Sequence, residues 1–336
     1  MRAPVYVYDP TNTDKQSKVR GIGRYLQILK ENTPPDWQFV HSLSGVPSHA
    51  VLIQPFYTFY QHPFITGRVT DRQIAVIHDL IPFKYPSHFP VGIKGKFYSF
   101  WQKMNLNLFD HFITDSEVSK KDIQSFLKIP ENKISVLYPT LAASFWDNQP
   151  ANTPSEDYFI YVGDGTWNKN LSTLAKAINK TELTCVFVGN IFKDTNPEHY
   201  KHPWQADLRI FFEKALNNKQ FVFPGFVSDG ELLALYSRAH YNILLSHDEG
   251  FGFSYVEAAS CGCPSLLNDR PIFHEIAGDS AEYINGDNVE AVAEKLNLLV
   301  QNKSQRARLS FKALERSKKY NQDYFKKRVL EIVYPY

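Results

Sequence analysis

The sequence predicts an α/β protein of two domains, each built on a parallel sheet. Short β-branched and aromatic runs alternate with helix-length segments along nearly the whole chain, which is the pattern of βαβ units. The length of 336 residues suits two domains, at roughly 100–200 residues each. Residues 142–157, AASFWDNQPANTPSED, break the alternation with Pro, Asn and Asp and no apolar periodicity, as a linker does.

In the first half the strand candidates are residues 5–8, 50–53, 73–77, 111–114 and 133–137, with helical patterns at 23–30, 94–108 and 118–127. The second series has strands at 158–162, 184–188, 221–223, 241–245 and 265–267. Its helices fall at 170–179, 204–217, 230–237, 254–260, 288–301 and 303–319. A last apolar-faced helix, carrying Tyr324, Val329 and Ile332, fills residues 320–336. The expected domains are therefore 1–150 and 151–318, with the chain end from 319 set apart. Within the helix at 94–108, Phe97, Trp101, Met104 and Leu108 recur at helical spacing, and burial in a core is the expected reason. Lys94, Lys96 and Lys103 beside them leave room for a peripheral membrane contact instead.

Composition excludes several classes. Hydrophobic residues at 43% and charged residues at 21% are ordinary for a globular chain. The 37 basic and 35 acidic residues leave a charge of +2, too small to argue for nucleic-acid binding. The first 150 residues hold 16 basic and 12 acidic side chains, a weak basic bias. Three cysteines, Cys185, Cys261 and Cys263, are too few for a disulfide framework and point to a reducing compartment. The longest stretch without Asp, Glu, Lys or Arg, residues 37–67, is broken by Pro47, Pro55 and Pro63 and cannot span a bilayer as a helix. The expectation is a soluble, cytoplasmic protein with no signal peptide.

The strongest local signal is SHDEGFGFSYVEAASCGCP, residues 246–264. An apolar strand runs into a bend through Gly250 and Gly252 and then a helix. Glycines admit a close ligand, and a helix N-terminus offers unpaired N–H groups that suit a phosphate. Glu249 sits in the bend and Glu257 early in the helix. Ser254 and Glu257 also fit a capping box, so spacing alone leaves two readings of Glu257 open. Glu249 has no evident structural duty.

Here the sequence resembles a known family. The Glu249-x7-Glu257 pair in DEGFGFSYVEAASCGCP resembles the signature of retaining, GT-B-fold glycosyltransferases of family GT4. GIGRY (21–25), IHDLIPFKYP (77–86), YVGDGTWNKNL (161–171) and DRPIFHEIAGDSAEYI (269–284) resemble further segments of that family in the same order. The second of them is typical of bacterial surface-polysaccharide members. The resemblance implies two Rossmann-like domains with parallel sheets facing across a cleft, and a last helix that packs back on the first domain.

It also implies roles. Glu249 would hydrogen-bond the donor sugar and Glu257 would hold the nucleotide ribose. Lys169, with the backbone N–H groups of Gly252 and Phe253, would neutralise the leaving diphosphate, which Gly21 and Gly23 would also touch. His78 would face donor sugar and acceptor, braced by Asp79, and either it or the leaving phosphate oxygen would take the acceptor proton. Fixed cations and preorganised N–H donors on the leaving side are what the charge separation requires. One position departs from the pattern. Asp164 stands where many relatives carry an Arg, and Arg20 or Arg24 could supply the missing cation.

The chain holds no Asp-x-Asp pair, so no metal and no cofactor are expected. The implied reaction moves a hexosyl group, mannose- or rhamnose-like, from a nucleotide-diphosphate sugar to a glycan or lipid-linked acceptor in surface-polysaccharide synthesis. Peripheral association with the inner face of the membrane would fit that acceptor. The alternatives are a sugar-nucleotide epimerase or phosphorylase on the same fold, or a non-catalytic sugar-nucleotide-binding partner.

Overall fold

The computed structural model describes residues 2–12, 21–147 and 158–335. The chain forms two compact units, one of Met1–Ala142 with Tyr320–Tyr336, the other of Ala143–Lys319.

In the first unit the elements are β1 (Val5–Tyr8), α1 (Gly21–Asn32), β2 (Gln38–Val40), β3 (Val51–Gln54), β4 (Arg72–Val76), α2 (Ile81–Lys84), α3 (Ile93–Asn105), β5 (His111–Thr114), α4 (Glu117–Leu127) and β6 (Ile134–Val136). The strands make one parallel sheet in the order β2-β1-β3-β4-β5-β6. Every residue of β3 is buried, as expected of a parallel strand covered on both faces. Leu52, Ala75, Phe112 and Ile123 anchor the core between sheet and helices. Strand β2 has no counterpart in the sequence reading. It is a three-residue edge strand with no fully buried position, so it lacks the apolar run that marks its neighbours.

Helix α3 overturns an expectation. Phe97 and Met104 are 58% and 60% exposed, while Gln102 and Asn105 are buried. Polar groups hold the inner face: the Gln102 Nε2 donates to Gln61 O, and the Asn105 Nδ2 donates to Ile65 O. Tyr57 OH donates to the Gln102 carbonyl. These bonds can form only if the apolar stripe turns outward.

The second unit begins with α5 (Ala143–Asp147) and continues through β7 (Tyr158–Val162), α6 (Leu171–Ile178), β8 (Thr184–Val188), α7 (Ala206–Ala215), β9 (Phe221–Gly225) and α8 (Asp229–Arg238). It is completed by β10 (Tyr241–Leu244), α9 (Phe253–Ser260), β11 (Ser265–Asn268), α10 (Pro271–Ala277), β12 (Glu282–Ile284), α11 (Val289–Gln301) and α12 (Lys303–Ser317). The front of the expected linker is thus a short helix whose Phe145 is fully buried, and residues 148–157 lie outside the described residues. The sheet is again parallel, in the order β12-β11-β10-β7-β8-β9. Aromatic rings fill its β8–β9 side, where Phe187 contacts Phe211 and Phe221 at 4.9 and 5.7 Å. Cys185, Cys261 and Cys263 are buried and unbridged.

The chain end forms α13 (Gln322–Val333) in the first unit. It buries Phe325, Val329, Ile332 and Val333. The Arg72 guanidinium donates to the Ile332 carbonyl and Tyr334 OH to the Ala3 carbonyl. No helix among the described residues is long and apolar enough to cross a membrane.

Candidate active site

Strand order locates the site of the second unit. Connections from β7 run toward β8 and β9, while those from β10 run toward β11 and β12. The loops after β7 and β10 therefore diverge at a topological switch point, where open parallel sheets leave a crevice for ligands. The loop after β7 supplies Lys169 and the loop after β10 supplies Glu249.

The two side chains meet. Lys169 Nζ lies 2.8 Å from both carboxylate oxygens of Glu249, and Ser246 Oγ donates to Glu249 Oε1 at 2.7 Å. The lysine side chain is 17% exposed and the glutamate 10%. Glu249 thus has a structural duty that its sequence context did not reveal. The surrounding loops are tied by backbone: His247 N donates to Asn168 O, and the Asn168 amide to Asp248 O. Trp167 stacks on His247 at 4.5 Å between centroids, which packs the same two loops rather than leaving the indole face open on that side.

Helix α9 starts at Phe253 from an N-cap at Gly252, with no side-chain cap. Ser254 is therefore inside the helix, and the capping-box reading of Glu257 fails. Gly252 has φ +95°, and a Cβ there would stand 2.8 Å from Ile276 Cδ1. Only glycine fits, and its bend leaves the first N–H groups of α9 without intrahelical partners. Glu257 is buried and accepts a hydrogen bond from Tyr236 OH at 3.3 Å. Asp164, the position that departs from the family pattern, is exposed. Its carboxylate accepts from Thr166 Oγ1 at 3.0 Å, within its own loop.

The first unit carries a second cluster at the carboxyl ends of β3, β4 and β5. His78 follows β4. Its Nδ1 lies 2.6 Å from Asp115 Oδ2 and its Nε2 3.1 Å from the Pro55 carbonyl. Both partners are acceptors, so both bonds form only when the ring carries two protons. Burial works against that charge, but the Asp115 carboxylate outweighs it and holds His78 above its ordinary pKa. Tyr25 lies edge-on to the ring at 4.7 Å. Tyr25 OH and Asp115 Oδ1 are both buried with no hydrogen-bond partner among the described residues, a state that ordinarily signals an ordered water or a ligand at such an atom. Asp79 braces its loop by accepting from Ile81 N at 3.0 Å.

Gly21 and Gly23 both lie in the first turn of α1, which begins two residues before the predicted helix. Arg24 is half-buried in that helix, and Arg20 lies outside the described residues. The sequence reading missed Asp115 and Ser246. Both lie in the loops just after strands, a placement that could have drawn attention to them.

The model of the family described as "Glycosyl transferases group 1" matches residues 144–316, more than half of the chain. The chain belongs to that family. The group 1 chain is 30% identical over 215 residues to the O-antigen chain mannosyltransferase RfbU of Salmonella typhimurium. That match spans 64% of this chain and 57% of the relative. Over 182 residues, 52% of this chain and 43% of the relative, it is 29% identical to the GDP-mannose:cellobiosyl-diphosphopolyprenol alpha-mannosyltransferase of Xanthomonas oryzae. Among solved structures it is similar to WaaG, a glycosyltransferase involved in lipopolysaccharide biosynthesis. The TM-score is 0.69 at 10% identity, covering 99% of this chain and all of the other. The two Rossmann-like units of this group 1 chain are those of a GT-B fold.

Proposed function

We propose that the chain is a retaining glycosyltransferase that moves a hexosyl group, mannose first among candidates, from a nucleotide-diphosphate sugar to a hydroxyl of a glycan or lipid-linked acceptor. The observation that carries the reading is the Lys169–Glu249 pair, 2.8 Å apart at the switch point of the second unit. It stands in the loops around the uncapped N-terminus of α9.

A diphosphate arriving there would take its charge from Lys169 and from the N–H groups of Gly252 and Phe253. Lys169 would then be shared with Glu249, which is left as an acceptor for the donor sugar hydroxyls. Glu257, buried early in α9, would accept from the ribose. Gly21 and Gly23, at the start of α1, would touch the diphosphate through backbone. In the reaction the bond from the anomeric carbon to the phosphate oxygen breaks. A bond from the same carbon to the acceptor oxygen forms on the same face. The acceptor proton passes to the departing phosphate oxygen, because both nitrogens of His78 are already engaged. His78, its two N–H groups held by Asp115 and the Pro55 carbonyl, would instead face donor sugar and acceptor as a fixed positive charge. In this reading Lys169 and the helix amides take the charge that a metal carries in other glycosyltransferases, and no cofactor is required.

The relatives are named as mannosyltransferases, two of them acting in O-antigen or lipid-linked assembly by their names. That supports a transferase over an epimerase, a phosphorylase or a non-catalytic binder. It also supports a place at the cytoplasmic face of a membrane, where lipid-linked acceptors lie. The test is incubation of the purified chain with GDP-mannose and a polyprenyl-diphosphate-linked saccharide, with NMR of the product anomeric carbon. An α-linked product is expected. Isomerised donor without transfer would overturn the reading.

A further inference from the structure

We infer that the outer face of α3 is a docking surface for an anionic lipid bilayer. The inference deepens the proposed membrane-side function and rests on it for its purpose, while the surface itself is carried by the residues of α3.

Ile93, Phe97, Phe100 and Met104 are 90%, 58%, 65% and 60% exposed. They follow the i, i+4, i+7, i+11 spacing, so they form one stripe along the helix. The opposite face is polar and pinned by hydrogen bonds from Gln102 and Asn105. This is a helix with its amphipathicity inverted relative to its own core. A soluble helix buries its apolar face, and a continuous exposed stripe marks an interaction surface.

Charge decides the occupant. Lys94, Lys96 and Lys103 are exposed on this same helix, and none of them pairs with a carboxylate among the described residues. Between Asp79 and Asp110 the chain has no acidic residue. A second copy docked face to face would oppose like charges with nothing to neutralise them. An anionic headgroup layer offers an apolar interior for the stripe and negative charge for the lysines, whose stems can reach upward from it. Trp101 and Tyr98, partly exposed on the shoulder and in contact with His62, sit where interfacial aromatics do.

The test is co-sedimentation of the full chain with vesicles of phosphatidylcholine alone or of phosphatidylcholine and phosphatidylglycerol in equal parts. Thermal shift with a nucleotide-sugar panel is run on the same preparations. The wild type is expected to pellet with the mixed vesicles only, less so as salt is raised. Phe97→Ser with Phe100→Ser should lower partitioning at least about tenfold, and Lys94→Glu, Lys96→Glu and Lys103→Glu together by about a hundredfold. All variants should keep the wild-type melting temperature. Wild-type protein that stays in the supernatant, or variants that pellet like it, would overturn the inference. So would a wild-type dimer, seen by sedimentation velocity, that the phenylalanine changes dissolve. Vesicle binding without any nucleotide-sugar shift would instead count against the transferase reading and leave the surface standing.

Discussion

In the proposed reaction the second unit's chemistry would turn on Lys169 and Glu249, which neutralise each other in the structure. Removing Lys169 alone leaves Glu249 nearly buried and without its counter-charge, with Ser246 as its remaining side-chain partner among the described residues. Lys169→Ala should therefore destabilise the fold by about 1–3 kcal/mol, and the double variant with Glu249→Ala should recover part of that loss in chemical denaturation. The same substitution should lower kcat/KM for sugar transfer by about a hundredfold or more, the usual cost of removing one charge-stabilising donor. In the first unit His78 gains its charge through Asp115, so its folded pKa lies above 6.5. The stability this contributes is fully present below that value and is lost as pH rises through the folded pKa. Asp115→Asn should shift the NMR titration of His78 to lower pH and flatten that dependence. An unchanged titration would contradict the assigned pairing.

At the scale of elements, the bend into α9 depends on a backbone conformation that only glycine adopts without strain. Gly252→Ala combines a positive φ with a contact to Ile276. It should lower stability by about 1–3 kcal/mol and weaken donor binding, measured by thermal unfolding and titration calorimetry. The bend and the helix start at Phe253 were legible in the sequence, because the glycines and the apolar strand before them are local signals. Strands β2 and β12, helices α2, α5 and α10, and the facing of α3 were not. Strand β2 is a three-residue edge with no fully buried position, so nothing in its pattern separates it from a loop. Helix α3 was legible as a helix but not as to its facing. Periodicity reports that one side is apolar, and only the tertiary bonds of Gln102 and Asn105 determine that this side looks outward. The Lys169–Glu249 contact spans eighty positions of sequence and was equally hidden; the two residues were found singly, and their pairing required the strand order.

At the scale of the whole molecule, the first unit is discontinuous: its sheet comes from the first 142 residues and its covering helix α13 from the chain end. Deleting residues 320–336 would remove Phe325, Val329, Ile332 and Val333 from that core. At about 1.5–3 kcal/mol for each buried apolar side chain, the truncated first unit should be open to limited proteolysis while the second stays resistant. The division of the chain into two parallel-sheet units follows from alternation and length. The return of its end was implied only by the family resemblance, because an amphipathic helix by itself does not state what it packs against. Both units nevertheless put their unusual polar groups at the carboxyl ends of their strands, where donor binding and the transfer chemistry are proposed to lie. The most direct test of that placement is a thermal-shift panel of GDP-, UDP- and dTDP-sugars on wild-type protein and Lys169→Ala. One donor class should raise the wild-type melting temperature and leave the variant unmoved; a panel without effect, or a shift that survives the loss of Lys169, would contradict it.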